Sequence, residues 1–582
     1  MDPLRFIETL TERAAIYCPS LNDTFSAQVR PADPRFGDYQ SNGLLPFAKK
    51  NKSDPMALAK QLLEAMQKLI EKDNIPLSVD VAPPGFINFV LLPKFLEDRI
   101  GDFLSLESIR KLVKNPQPPQ QVVIDYSSPN SAKQMHVGHI RSTVIGESLA
   151  RILSFTGSSV IRDNHIGDWG TQFGILLMQV KSIQFNIMCK DTNLDHLENL
   201  YRQGNARFQQ DPLIKKEVYK ELKKLQNGDP ENVAIWDRIN KISYASFQKI
   251  YDILGVSFDH LLGESFYCHQ VDRVYKELTE ESIAEESQGA LVVFHPEHHR
   301  FDTVPFIVRK SDQTSNYAST DLATILYRVE RFQSQKVIYV TDTRQQDHFQ
   351  QLFLTTQKWF KSKKYYLPQL EHITFGSILG EDGKAIKTRS GEPIRLEELL
   401  QEAEARALEL VTQKNPDLNE SERNEIARVV GVGAVKYADL MQNRKSDYIF
   451  SWDKMISFEG NTAPYLLYAV ARIHSIFRKA GISIDSFNVS SISLCDQEEM
   501  TLVKKIIPFQ SVIRQVRTDL YPHIIANFLF ELATSFSSFY TNCQVLHQEE
   551  VVRSRRLALS LATLNTLTTG LDLLGIETLE KM

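Results

Sequence analysis

The residues with the clearest chemical capacity lie in the stretch SSPNSAKQMHVGHIRS, residues 127–142. It holds His136 and His139, with only Val137 and Gly138 between them, together with Lys133 and Arg141, and no acid. Three chemistries are open to such a histidine pair. A metal pair on a helix needs a third ligand, and neither a nearby cysteine nor a glutamate of the HExxH kind is present. Packing histidines need no basic company. Phosphate binding uses what stands here: imidazole donors, the full charge of Lys133, and Gly138, whose missing side chain lets a base or ribose approach the backbone. A helix starting at the pair adds free N–H groups and the positive end of a dipole. Other nucleotide motifs fail. GEDGK (380–384) places its glycines too close together for a P-loop, and GVGAVK (431–436) is a GxG inside a helical pattern, suited to packing.

The flanking elements must position this stretch. QVVID (121–125) reads as a buried strand, followed by a helix from about His136 to a C-cap at Gly157 and by a second strand in SVIRDNHIG. FIVRK, NYASTDLATILYRVERF and KVIYVTD (306–342) repeat strand, helix, strand. This predicts βαβ units in one parallel sheet, interrupted by a charged helical insertion at about 180–300. Ligands of such sheets collect beyond the carboxyl ends of the strands. Upstream, PMALAKQLLEAMQKLI has the apolar spacing of a helix, and VDVAPPGFINFVLL reads as two strands about a Pro-Pro-Gly turn. KNPQPPQQ (114–121) has the composition of a linker. From about residue 396 the pattern is helical; PYLLYAVARIHSIFRKA puts Leu466, Val470, Ile473 and Phe477 on one face behind Pro464. The expected fold is multidomain α/β with four regions: 1–112, 113–395, 396–454 and 455–582.

The 582 residues, 42% hydrophobic and 24% charged, suit a soluble globular chain. A net charge of −5 leaves nucleic-acid binding to local patches. Cys18, Cys189, Cys268, Cys495 and Cys543 form no CxxC pair, so neither a zinc ribbon nor a disulfide framework is expected, and a reducing cytoplasm fits. The opening MDPLRFIETLTERA mixes acids and bases unlike a signal peptide, and no apolar run approaches the ~18 residues of a membrane helix.

HVGH after a first strand resembles the HIGH signature of class I aminoacyl-tRNA synthetases, which other nucleotidyltransferases share. The context IDYSSPNSAKQMHVGHIRSTVIGESLARIL, followed by VIRDNHIGDWGTQFG, narrows the resemblance to arginyl-tRNA synthetases of bacterial type. FGDYQSN, PPGFINF, LGEDGKAIKTRSGE (379–392), KYADLMQNRKSDYIFSWDKMISFEGNTAPYLLYAVARIHSIFRKA (436–480) and the ending LGIETLEKM are similar to the same family, so the likeness spans nearly the whole chain. It implies a tRNA-contacting α+β domain at 1–112, a Rossmann-type class I catalytic domain at 113–395, a connecting helical region, and a helical anticodon-binding domain at 455–582. It also implies a two-step reaction. ATP and L-arginine give arginyl-adenylate and pyrophosphate, and the arginyl group passes to the 3′-terminal adenosine of tRNA(Arg), releasing AMP. Mg²⁺ is expected with ATP, no tightly bound protein metal is expected, and a monomer is the family's expectation.

The resemblance also carries residue roles. His136, His139 and Lys133 are the catalytic group, with Gly138 and both histidines at ATP. The loop IKTRSGE stands where the family signature KMSKS would be and lacks its second lysine, whose charge Lys133 takes over; Lys384, Lys387 and Arg389 are the alternatives for a second phosphate contact. Asp125, Tyr317 and Asp321 line the guanidinium pocket, and Asn130 and Gln345 hold the substrate's amino group, with Ser127 beside them. On the tRNA side stand Tyr39 and Asn42 (with Phe36, Asp38 and Gln40), then Arg472 and Lys479 (with Arg478, Arg553, Arg555 and Arg556), and Tyr465 and Tyr468 as stacking candidates. The chemistry agrees. Attack of a carboxylate on the α-phosphorus needs alignment and charge stabilisation, with no protein nucleophile. A guanidinium calls for carboxylates and an aromatic face. Tyr317 and Asp321, four apart at a helix start, share a face; alone, Asp321 reads as a helix-start charge worth ~0.3–1 kcal/mol. Two alternatives are a class I enzyme for another amino acid, against which Asp125 and Asp321 argue, and a non-catalytic RNA-binding relative, which needs neither HVGH nor Lys133.

Overall fold

A computed structural model describes residues 2–582 apart from 22–23, 116, 312–315, 385, 387–392 and 490–491. The HVGH stretch hangs from a sheet of four parallel strands in the order Gln369–Phe375, Lys336–Asp342, Gln121–Asp125, Ser159–Asp163. Val122, Val123 and Ile124 are wholly buried, as expected of a central strand covered on both faces. From Gln121–Asp125 the chain crosses through helix Val137–Phe155 to Ser159–Asp163 on one side, and later returns to Lys336–Asp342 on the other. The winding therefore reverses between Gln121–Asp125 and Lys336–Asp342. That crevice, where open parallel sheets bind ligands, receives the N-terminus of helix Val137–Phe155.

One expected strand goes elsewhere. Phe306–Arg309 does not join the parallel sheet; it pairs antiparallel with Ala290–Val293, which pairs in turn with Glu285–Ser287. Its burial explains this: Phe306 and Val308 are buried while Ile307 is 45% exposed, so only one face is covered. The insertion is built from helices Leu194–Gln210, Pro212–Gln226 and Pro230–Leu254. The last braces the loop after the first strand. Ala132 N donates to Ser243 Oγ (2.9 Å), and Tyr251 OH meets Ser127 Oγ (2.8 Å) and Asn164 Nδ2 (2.9 Å).

At the N-terminus, helix Pro55–Lys72 is capped by Asp54, whose carboxylate accepts from Met56 N and Ala57 N, and packs on a four-stranded antiparallel sheet. The C-terminal region is helical, and in helix Ala463–Ala480 the four residues expected on one face are 0–1% exposed. The two ends of the chain meet through Asp38–Lys504 (2.8 Å) and Asn565 Nδ2 donating to Phe103 O (3.0 Å). The final helix, Glu550–Leu573, reaches the HVGH helix: Ser148 Oγ donates to Leu573 O (2.9 Å) and Arg151 pairs with Asp572 (2.8 Å). No helix among the described residues is long and apolar enough to cross a membrane, and the five cysteines are free.

Beneath the crevice lies a buried ion triad. Arg328, wholly buried on helix Tyr317–Glu330, donates Nη2 to Asp125 (2.6 Å) and to Asp163 (2.7 Å), and Nε to Asp163 (3.1 Å). These aspartates end the two adjacent strands, at positions paired in register. Removing one partner of a buried pair leaves an uncompensated charge. Arg328→Met is therefore expected to cost ~3–5 kcal/mol, measured as a lower urea midpoint for the unfolding of this domain; an unchanged midpoint contradicts a structural role for the triad.

Candidate active site

The two histidines cap their own helix. His136 is the N-cap, in extended backbone (φ −113°, ψ 171°); its Nδ1 accepts from Gly138 N (3.1 Å), and His139 Nδ1 accepts from His136 N (3.1 Å). The ring centroids stand 4.1 Å apart. His139 Nδ1 also lies 3.3 Å from His136 O; with the shorter N–H contact deciding its role, Nδ1 accepts in both rings and the neutral rings carry their protons on Nε2, which remain as donors. A Cβ at Gly138 would meet the His136 ring at 2.9 Å, so the glycine makes room for the capping imidazole as well as for a ligand. Burial, followed by the His136 ring and the Lys133 charge, holds His139 down at about 3. Burial first, then Lys133 and Arg344, also lowers His136. Both are therefore neutral donors at pH 7.

The loop leading to them is held in an uncommon conformation. Ser127, Ser128 and Ala132 have φ of +73°, +47° and +61°, a region that non-glycine residues seldom occupy. Ser142 Oγ accepts from Ser127 N (2.9 Å) and Asn164 Oδ1 from Ser128 N (3.0 Å). Lys133 lies with its Nζ 5.0 Å from the Tyr201 ring centre and has no carboxylate partner among the described residues. Lys384 is exposed, its backbone N bonded to Asp382 (3.0 Å); Lys387 and Arg389 lie outside the described residues. Among the described residues no group of three histidine, cysteine or acidic side chains could hold a metal ion.

The expected guanidinium residues divide. Tyr317 and Asp321 stand on the first turns of helix Tyr317–Glu330; Tyr317 is exposed, and Asp321 Oδ2 accepts from His348 Nε2 (2.6 Å). Asp125 does not stand with them as an open carboxylate. Its Oδ2 is held by Arg328 and its Oδ1 by Ser128 Oγ (3.0 Å), so its place is one layer below the pocket. Ser127 is likewise buried, its Oγ bonded to Tyr251 and Thr143. Asn130 is exposed at the loop surface beside Gly167, and Gln345 is exposed after strand Lys336–Asp342.

The acid the sequence reading missed is Glu264. Its backbone N donates to Ile166 O (3.0 Å), and the turn is fixed by Asp168, which accepts from Ser265 N (2.9 Å) and Ser265 Oγ (2.5 Å). The Glu264 carboxylate has no partner among the described residues. Burial, then the charges of Asp321 and Asp168, push it well above the ordinary carboxylate range. Asp321 is already engaged by His348, so of these two acids Glu264 is the one left without a partner among the described residues. The available signal was a lone acid in LLGESFY where the insertion rejoins the sheet.

Comparison with known proteins identifies the family. The family model described as "tRNA synthetases class I (R), catalytic domain" matches residues 104–452. "DALR anticodon binding domain" matches 466–582, and "Arginyl tRNA synthetase N terminal domain" matches 6–91. An arginine–tRNA ligase from Laribacter hongkongensis is 42% identical over 95% of this chain and 96% of its own length. One from Marinomonas sp. is also 42% identical, over 99% of this chain and 100% of its own. The chain belongs to the arginyl-tRNA synthetases. Solved structures of arginyl-tRNA synthetases from Plasmodium falciparum (28% identity, TM-score 0.81, 100% of this chain and 99% of that one) and Thermus thermophilus (25%, 0.78, 100% of both) have the same fold throughout.

In this arginyl-tRNA synthetase the surfaces expected at tRNA are only partly open. Tyr39 is buried in the N-terminal sheet, so it cannot offer its ring at the surface. The Asn42 side-chain amide faces Arg30 and Gln40 (2.9 Å), and Phe36 is 49% exposed. Arg555 and Arg556 are tied to Glu499 (3.0 Å each), and Arg553 pairs with Glu550 (2.5 Å). Tyr465 packs on Phe530. Arg472 instead lies between two exposed rings, 4.7 Å from the centre of Tyr468 and 5.4 Å from that of Tyr540. Lys479 is exposed on the same helix.

The depressed His139 pKa gives a direct test. Its ring is expected to stay neutral down to about pH 3, so its Cε1–H resonance should hold constant between pH 8 and pH 5; a midpoint near 6.5 contradicts the half-buried, capping imidazole. The unfolded ring takes up a proton below its ordinary pKa of 6.5 and the folded ring does not, so this group's contribution falls as pH drops from 6.5 towards 3.

Proposed function

We propose that the chain ligates L-arginine to tRNA(Arg) in two steps, with ATP as co-substrate. The observation that carries this reading is the crevice's two sets of groups: the Lys133 ammonium with the neutral imidazole donors of His136 and His139, and the acids Glu264 and Asp321. Arginine enters with its guanidinium between Glu264 and Asp321, the latter oriented by His348, and with Tyr317 against its face. Its α-amino group lies towards Asn130 and Gln345. The carboxylate then attacks the ATP α-phosphorus, and pyrophosphate leaves. The Nε2–H groups of His136 and His139 and the ammonium of Lys133 stabilise charge on the phosphates, with one of Lys384, Lys387 and Arg389 as a second contact. Mg²⁺ enters with ATP as part of the substrate. Asp125 and Ser127 hold the pocket's floor and loop in place. The arginyl group is then transferred to the terminal adenosine of tRNA, whose anticodon loop meets Tyr468, Arg472 and Tyr540, and whose outer corner meets Phe36, Gln40 and Asn42. The reading includes a cytoplasmic location and a monomer, the latter checked by gel filtration of the purified protein.

Charging of total tRNA with each labelled amino acid tests the function. Arginine alone is expected to be incorporated; incorporation of another amino acid, or of none, overturns the reading. Glu264→Gln and Asp321→Asn each break a charge-assisted pair. Each is expected to raise the arginine KM in tRNA-dependent ATP–pyrophosphate exchange by roughly 30-fold or more, and an unchanged KM removes that residue from the pocket. Tyr540→Ala removes one face of the Arg472 stack and should raise the KM for tRNA about tenfold; unaltered charging kinetics place the anticodon loop elsewhere.

A further inference from the structure

One face of insertion helix Leu194–Gln210 presents Asp195, Glu198 and Tyr201 to the HVGH loop, at the three-residue spacing that makes helix neighbours. Tyr201 carries the Lys133 ammonium 5.0 Å from its ring centre. Glu198, one turn earlier, is the acid nearest in sequence to that ring, yet it does not pair with Lys133. Both acids of this face are taken by Arg395, whose Nη1 lies 2.8 Å from Asp195 Oδ1 and whose Nη2 lies 3.6 Å from Glu198 Oε2. Gln134, adjacent to Lys133, also donates to Asp195 Oδ1 (3.1 Å). Arg395 is itself fixed against the signature. Val137 N donates to Ile394 O (2.9 Å), Leu396 N donates to Met135 O (2.9 Å), and His136 and Arg395 form an antiparallel bridge.

We propose that Arg395 is a positioning residue for the phosphate end of the crevice: by holding Asp195 and Glu198 it keeps Lys133, seated on Tyr201, free of acidic partners and available to ATP. The physical reason is competition. An ammonium has a single charge, and a carboxylate one helical turn away competes with a phosphate for it unless a stronger partner holds that carboxylate. Arginine suits the task, because its fork reaches two carboxylates at once while its charge is never lost. This inference rests on the role assigned above to Lys133 at phosphate.

Two measurements on the full-length protein separate the inference from that role. The first is the rate at which acetic anhydride modifies Lys133 without substrates, read by peptide mass spectrometry. In Arg395→Gln the freed Glu198 pairs with Lys133, and labelling is expected to fall by roughly two- to fivefold, the range of one part-exposed ion pair. Adding Glu198→Gln to that variant is expected to restore it, and Arg395→Lys, which keeps the charge without the fork, should fall in between. The second is the ATP KM in tRNA-dependent exchange, expected to rise in Arg395→Gln by a similar factor and to recover with Glu198→Gln. A merely structural role for Arg395 predicts no such rescue. Labelling that is unchanged in Arg395→Gln, or lost without rescue, overturns the proposal. Labelling that follows the expected pattern, with an ATP KM unmoved in both Arg395→Gln and Lys133→Met, supports the clamp and removes Lys133 from the phosphate site.

Discussion

The buried triad of Arg328, Asp125 and Asp163 is the constraint on which the crevice depends. It joins the ends of two adjacent strands to a helix that crosses beside them. Arg328 lies seven residues beyond Asp321, two turns along the same helical stripe, so fixing the guanidinium also fixes the rotation of the helix. That rotation turns Asp321 and Tyr317 towards the switch point. The synthetase thus holds an arginine of its own between two aspartates, one layer beneath the acids proposed to receive its substrate. The burial of that pair is costly, and its return is geometric definition where the strand ends must stay in register.

Above the triad, local and distant contacts divide the work. The histidine cap is local: two imidazoles bond to backbone N–H groups within three residues, which sets their tautomer and leaves two Nε2–H donors. The loop before them has no such self-sufficiency. Its left-handed residues are held from helix Pro230–Leu254, from Asn164 and from Ser142. The insertion thereby supports the loop that leads into HVGH, and the final helix, resting on Ser148 and Arg151, ties the helical C-terminal region to the HVGH helix.

Much of this was legible in the chain. The strand before HVGH, the helix after it, the helix start at Tyr317–Asp321 and the apolar face of Ala463–Ala480 follow from spacing over a few residues. The family likeness supplied the domain order. What spacing could not supply was partnership. Asp125 reads as a free carboxylate at a strand end until Arg328, 203 residues on, is placed against it. Arg555 and Arg556 read as phosphate contacts until Glu499 is placed between them. Tyr39 reads as a surface ring until the N-terminal sheet closes over it, and FIVRK reads as another parallel strand until its one-sided burial is known.

By itself the sequence determined the local chemistry: which helix begins at two histidines, that the stretch around Lys133 carries no acid, and which residues could bind a phosphate or a guanidinium. These depend on contacts between residues three or four apart, and the helix imposes those contacts wherever it forms. Only the tertiary structure decided which charges remain available. The interaction of two charged groups depends on their separation and on the dielectric between them, and both are set by folding. It assigned Asp125 to an internal arginine, gave Asp321 to His348 while leaving Glu264 without a partner among the described residues, and placed Arg395 against the acids that share a helix face with Tyr201, the ring under Lys133.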